Sequence, residues 1–377
     1  MALAAPRWCS STRTWAFEGR KGAGPVKKWI PALALSLALA LGGCSLSGQS
    51  YTVVEPHAEH PVLGENESTI KASTYSELVN GVLFFVSQGV EEGVIQITDY
   101  NGDVEDDLNR ACLEVAKDDP LGAYAVDFIK NDYTTIITTY EATITISYRR
   151  SPEQVSSLVN ITGTSAIREE AVQALSAFKT ELALRVGYFT GDAAAVEEQV
   201  RQAYYDTPAA ALGMPECSVA LYPETGAGTQ RIVEILLDYP EEPTVLQQKS
   251  QQLQEQATAI LAPIQHQIAS RRLDLLMGTL SGTVRVDLAS GGATAWDALV
   301  GQGANDEGLA LAFQLLCDGL GLKGQMVEGT LQGEPHFFNQ VDRNGQIVWV
   351  DLSRSTGQTY TAAQMLDMGY QWPDQEA

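Results

Sequence analysis

The sequence predicts an α+β fold in which two β-α-β-β modules precede a C-terminal domain, and three observations carry that expectation. A stretch with strand, helix and hairpin character recurs after about ninety residues. Further on, an amphipathic helix is followed by a hairpin built on an Asn-Gly turn. The composition, 45% apolar and 19% charged over 377 residues, is globular and allows two or three folded units.

At the start of the chain, Lys27-Lys28 precede an apolar run, residues 29–41, that leads into Leu41-Gly42-Gly43-Cys44. A positive region, a short apolar region and small residues before the cut define a secretory signal. The run is too short for a comfortable membrane span. Leu-Gly-Gly-Cys resembles the bacterial lipobox, which implies cleavage before Cys44, lipid on Cys44, and a protein anchored on the extracytoplasmic side of a bacterial cell membrane. Residues 1–43 are therefore assigned as signal peptide, and translation from Val26 would put the two lysines at its beginning. Residues 44–72, with Gly, Ser, Pro and Glu, read as a flexible tether. His57 and His60 stand there beside Glu55 and Glu59 without the convergent ligands a metal needs. No metal and no cofactor is expected.

The first module is assigned to residues 73–150. Gly93-Val94-Ile95-Gln96-Ile97 alternates like a strand, Asn101-Gly102-Asp103 turns the chain into a helix over residues 104–115, and a hairpin ends at residues 143–148. The second module, residues 151–243, repeats the order. Leu184-Arg185-Val186-Gly187-Tyr188 leads through Thr190-Gly191-Asp192 into a helix over residues 193–204, then a hairpin ending at residues 232–239. The acidic stretch 99–107 is not a calcium loop. Its sixth position is Val104 where glycine is needed, and its twelfth is Arg110 where a bidentate glutamate belongs.

The C-terminal domain, residues 244–377, opens with a glutamine-rich helical connector that Pro263 should kink. Leu309, Phe313, Leu316 and Leu320 then share one face of a helix. Gly319 and Gly321 should end it, and Asp306 reads as its N-cap. In the hairpin, Asn344-Gly345 places Arg343 opposite Gln346 and Phe338 opposite Asp351. His336 then lies diagonal to Asp351 on one face, with Cβ atoms roughly 7 Å apart, within reach of a hydrogen bond. The tail carrying Met365, Tyr370 and Trp372 is expected to pack back on the domain.

Thr294-Ala295-Trp296-Asp297-Ala298-Leu299-Val300, Glu307-Gly308-Leu309-Ala310-Leu311-Ala312-Phe313, Gly333-Glu334-Pro335-His336-Phe337-Phe338-Asn339 and Trp349-Val350-Asp351 together resemble the bacterial transglutaminase-like domain, a branch of the papain-like cysteine enzymes. The family pattern is a helix opened by a nucleophilic cysteine, then His-Ala-Trp-Asn on one strand and Asp on the next. The resemblance covers roughly the last quarter of the chain. It implies a triad at Asp306, His336 and Asp351, with Trp296, Phe337, Phe338 and Trp349 lining a cleft.

Departures from the pattern decide what the resemblance implies about chemistry. Asp306 stands at the cysteine position, and Phe337-Phe338 replace Ala-Trp. Acyl transfer in this family needs a thiolate, and losing a triad nucleophile costs about a millionfold in turnover. Cys317 lies eleven residues along the same helix, roughly 16 Å down its axis, and cannot substitute. The expected function is that of a vestigial, non-catalytic domain on a surface lipoprotein, binding peptide, protein or cell-wall material. An active transglutaminase or cysteine-type protease is one alternative, opposed by Asp306. A structural or sensory protein acting through the two modules is the other.

The formal net charge is −23, and cleavage before Cys44 would remove six basic residues and one acidic residue. So acidic a surface repels nucleic acid, and no basic stripe offsets it. Beyond Cys44 the chain has Cys112, Cys217 and Cys317, too few and too odd for a disulfide framework. Free thiols are expected.

Overall fold

Two helices begin where an aspartate closes a turn after a strand. Asp103 accepts a hydrogen bond from the Asp106 amide, and Asp192 accepts one from that of Ala195. Each satisfies a donor that the first turn leaves unpaired. The computed structural model describes residues 69–373 except Ala227 and Ser290. The signal segment, Cys44, His57, His60 and most of the expected tether lie outside the described residues.

The first module runs β1 (Thr69–Ala72), α1 (Tyr75–Gln88), β2 (Glu92–Ile97), α2 (Val104–Lys117), α3 (Pro120–Ala125), β3 (Val126–Ile136) and β4 (Thr139–Tyr148). Its sheet has the order β1-β2-β4-β3, with β1 parallel to β2 and the other neighbours antiparallel. After a short helix, α4 (Pro152–Ser156), the second module repeats the plan with β5 (Val159–Gly163), α5 (Ile167–Ser176), β6 (Glu181–Tyr188), α6 (Ala193–Tyr205), β7 (Glu216–Tyr222) and β8 (Arg231–Asp238). Its order is β5-β6-β8-β7, again with one parallel pair.

The repeat is therefore longer than the expected β-α-β-β. Each copy opens with a further short strand and helix, and Thr69–Ala72, expected to end the tether, is one of those strands. Four residues beside a polar segment show too little alternation to be read as a strand. Pairing with β2 is what defines it.

The C-terminal part consists of α7 (Pro243–Leu261), α8 (Ala269–Thr283), α9 (Ala295–Leu299) and α10 (Asp306–Leu320), then β9 (Gly324–Leu331), β10 (Glu334–Arg343), β11 (Gln346–Val350), α11 (Ala362–Asp367) and β12 (Tyr370–Gln371). The sheet order is β11-β10-β9-β12. At Pro263 the chain leaves the helix altogether between α7 and α8 instead of kinking. Gly321, left-handed with φ 66°, ends α10, whereas Gly319 lies inside it. A Cβ on Gly319 would come within 2.4 Å of Leu261 Cδ1, so the glycine lets α7 approach closely.

Leu309, Phe313, Leu316 and Leu320 are buried, as are Ala310, Leu311, Ala312 and Gln314 between them. A helix apolar nearly all round is one enclosed on most sides. Here α7 and α9 cover one side, and β9 and β10 the other. Arg272 Nη1 donates to the Leu320 carbonyl at 2.8 Å, placing a cation at the negative end of the α10 dipole. The tail packs back as expected: Met365 and Tyr370 are buried, and β12 pairs with β9.

The buried residues of the second module and the C-terminal helices form one continuous core, from Leu184 and Val200 through Leu253 to Phe313 and Val350. The first module has its own core, which also takes in Ala183 and Ile232 from the outer face of the second sheet. Among the described residues, no helix is long and apolar enough to cross a membrane.

The start of α10 depends on Gly308, where an added Cβ would lie 2.8 Å from the backbone of Gly292 and Thr294. Backbone cannot swing aside as a side chain can. Gly308→Ala should destabilise the protein by about 1–3 kcal/mol through overpacking, read as a lower urea midpoint with an unchanged denaturant slope.

Candidate functional site

Asn344 and Gly345 have φ of 57° and 87°, the two positive values that a tight hairpin turn of this type requires. That turn sets Arg343 opposite Gln346 and Asn339 opposite Val350. Asp351 follows β11 directly. The register thus brings His336, near the start of β10, beside Asp351, and His336 Nε2 lies 2.8 Å from Asp351 Oδ2. On its other side, Nδ1 lies 3.0 Å from Asp306 Oδ2, in the first turn of α10. The same Asp306 oxygen accepts the Phe337 amide at 2.8 Å.

Asp306 is not the N-cap. Asn305 is, its side chain accepting from the Gly308 amide at 3.0 Å. The cap lies one residue earlier than expected and frees the Asp306 carboxylate to face the imidazole.

Asp351 is 1% exposed and fully hydrogen-bonded. Its Oδ2 accepts from His336 and from the Tyr370 hydroxyl at 2.5 Å; its Oδ1 accepts from the Ser353 amide at 2.8 Å and the Ser353 hydroxyl at 2.5 Å. Four donors match the roughly four acceptor positions of an ionised carboxylate. Burial by itself would raise the Asp351 carboxyl, but the hydrogen bonds from His336, Ser353 and Tyr370 outweigh it and hold it below the usual range. Asp306 follows the same pattern, burial being outweighed by His336 and the Phe337 amide. For His336, burial disfavours the charged ring, yet hydrogen bonds to Asp306 and Asp351 and their charges raise it to about 9. The site is an imidazolium between two carboxylates.

Ser353 and Tyr370 were not singled out for the site by the sequence. Ser353 could have been: a serine two residues after an aspartate is a common way for a carboxylate to accept a backbone amide locally. The Ser353 hydroxyl lies 3.4 Å from His336 Nε2 but donates to Asp351. A ring protonated up to about 9 cannot accept a serine proton at neutral pH. The geometry does not make an activated serine.

The four expected cleft residues fall in different places. Phe338 and Trp349 are 1% and 5% exposed, within a small aromatic core with Met365, Tyr370 and Trp372, so neither lines a cleft. Trp296 packs against α7, with its indole donating to Gln252 and Lys249 above its ring. Phe337 alone of the four lies at the mouth of the site, with its ring 5.8 Å from that of Tyr205 on α6. Tyr205 also donates to Glu307 at 3.1 Å, so the second module reaches the first turn of α10 beside Asp306. Asn339, fully buried, donates to the Ala310 carbonyl at 3.0 Å and ties β10 to α10.

Beyond Tyr205 a groove of about 490 Å³ runs between α5–α6 and the C-terminal sheet, lined by Arg168, Gln202, Met326, Gln340 and Trp372 among others. Gln314 closes its floor, donating to the Tyr205 carbonyl and accepting from the Met326 amide. Cys317 is fully buried, and burial pushes its thiol far up. Cys112, Cys217 and Cys317 are free. Among the described residues, no group of three or more histidine, cysteine or acidic side chains is placed to hold a metal.

No protein-family profile matches the chain, and no curated protein matches it. A solved structure, a crystal structure of a TGase, is similar over 45% of this chain and 50% of its own, at 12% identity and a TM-score of 0.24. A similarity that slight establishes neither fold nor activity. The mixed α+β architecture stands on the elements themselves.

Because folding raises the His336 pKa, its contribution to stability is complete below the unfolded value of roughly 6.5 and is lost as pH rises through about 9. Asp306 and Asp351 are lowered, so theirs is present above the ordinary carboxyl range of about 4 and lost as pH falls through their folded values. The stability difference between the wild type and His336→Gln should therefore be greatest between about pH 5 and 6.5 and shrink towards pH 9. Urea unfolding across that range measures it, and a constant difference would contradict the paired imidazolium.

Proposed function

We propose that this chain is a lipid-anchored envelope protein whose C-terminal domain is a transglutaminase-like scaffold without its nucleophile, serving to hold a peptide, protein or cell-wall ligand. One observation carries the reading: both ring nitrogens of His336 are occupied by carboxylates, and one of these, Asp306, stands where the resemblance puts the attacking cysteine. A carboxylate keeps the charge that an imidazolium wants as neighbour but attacks an amide poorly. Replacing a thiolate by a carboxylate at the same point preserves the ion pair and abandons the chemistry.

Ligand binding is supported by the groove beyond Tyr205, which presents the Gln340 side-chain carbonyl oxygen and an aromatic side chain at Trp372 beside the ion pairs Arg168–Asp206 and Arg201–Glu328. Such a mixed polar and aromatic surface suits a peptide. Lipid on Cys44 would hold it at the membrane. The alternative of a structural or sensory protein working through the two modules puts the contacts elsewhere on the same chain.

Asp306→Cys tests the placement. Residue 306 begins α10 and faces His336 Nδ1, so the new thiol should ionise well below the free-cysteine value of about 8.5. It should react with iodoacetamide at neutral pH at least tenfold faster than free cysteine, whereas Cys112 and Cys317, which are buried, and Cys217, half-buried with its pKa pushed up to about 11, should not. An ordinary alkylation rate would remove residue 306 from the nucleophile position. Separately, wild-type protein that joins an amine donor to a glutamine peptide in a His336-dependent manner would overturn the non-catalytic reading.

A further inference from the structure

The contact between the two modules contains charge that the fold does not use up. Helix α3 lies against the outer face of the second sheet, where the Tyr124 and Tyr222 rings meet edge to face at 5.4 Å. Arg150, in the link between the modules, sits over Tyr124 and donates to Glu234 at 2.8 Å, and Tyr222 donates to the same carboxylate at 3.0 Å. Glu234 is 4% exposed, so this pair is closed from both sides. Beside it the modules leave a cavity of about 300 Å³.

One wall of that cavity is apolar, made by Val86, Leu121, Tyr148, Val155 and Leu158. The lining also includes Arg185, from the middle of β6, where it is the register partner of Asn160 of β5. Arg185 makes no hydrogen bond or ion pair among the described residues. Asp119 acts on it electrostatically without an ion pair, its Oδ1 accepting the Leu121 and Gly122 amides at 2.8 and 3.0 Å. Burial lowers the Arg185 pKa, and Asp119 offsets this only in part. Arg150 Nε, on the same cavity, is also buried without a partner. A guanidinium offers five donors in a planar fork that matches a carboxylate. Here such a fork is half-buried and lacks its acceptor.

We propose that this cavity binds a small carboxylate bearing an apolar chain, with the carboxylate on Arg185 and the chain against Val86, Leu121 and Leu158. The volume lies at the lower limit for small-molecule sites and suits a chain on the order of six to eight carbons. Because residues of both modules line the cavity, an occupant would bridge them and stabilise their contact by mass action. The inference is independent of the triad and of the groove beyond Tyr205.

Calorimetric titration of the purified full-length protein with octanoate, octanamide and inorganic phosphate tests it. Octanoate should bind at least tenfold more tightly than octanamide and than phosphate, and should raise the melting temperature. Arg185→Met should weaken octanoate at least tenfold. If that variant fails to fold, Val155→Trp, which fills the cavity from the short helix α4, should give the same loss with an unchanged circular dichroism spectrum. Equal binding of octanoate and octanamide, phosphate binding as tight as octanoate, no octanoate binding at millimolar concentration, or variants that bind like the wild type would each overturn the proposal.

Discussion

The C-terminal site depends on one ion held between two others. His336 is carried by a strand, Asp306 by the first turn of the central helix, and Asp351 by the end of the neighbouring strand, so the imidazolium joins a helix to a sheet through its two nitrogens. Taking such a charge out of water is expensive, and only close partners with satisfied lone pairs make it tolerable. Asp351 meets that requirement with four donors, and Asp306 with the ring and the Phe337 amide. An alanine at residue 306 would leave Nδ1 without its partner in a site where unpaired polar atoms cost most. The need for an anion there is structural, whatever becomes of the chemistry.

That requirement is for negative charge at residue 306. A thiolate and a carboxylate present the same charge to the ring, so exchanging them leaves helix, strand and imidazole in register. Tyr205 donates to Glu307 and its ring lies 5.8 Å from that of Phe337, which ties the second module to the helix and strand that carry the site. The groove of about 490 Å³ opens beside Tyr205.

The hairpin was legible because Asn344-Gly345 admits one turn geometry, and a fixed register places every later residue, Asp351 included. Asp306 was legible as a neighbour of the ring but not as distinct from its cap. Asn305 and Asp306 can both cap a helix, and the choice depends on which carbonyl begins the hydrogen-bond ladder. Phe338 and Trp349 were misassigned to a cleft because the covering element, the two-residue strand Tyr370–Gln371 with Trp372 beyond it, is too short to have a pattern. In the modules, the alternating strands and Asp-capped helices could be read, whereas the four-residue opening strand is defined only by its parallel partner. The contact between Tyr205 and Glu307, about a hundred residues apart in sequence, has no local signature at all.

Gln314 has a wider consequence. Its amide is 8% exposed and satisfied at one end by the second module, through the Tyr205 carbonyl, and at the other by β9, through the Met326 amide. Separating the chain near residue 243 would take the Tyr205 carbonyl away from this amide and open the shared core along its length. The two portions are thus not autonomous. The second module and the C-terminal part share one core, and an evolutionary exchange of either for a foreign domain would have to replace the seam as well.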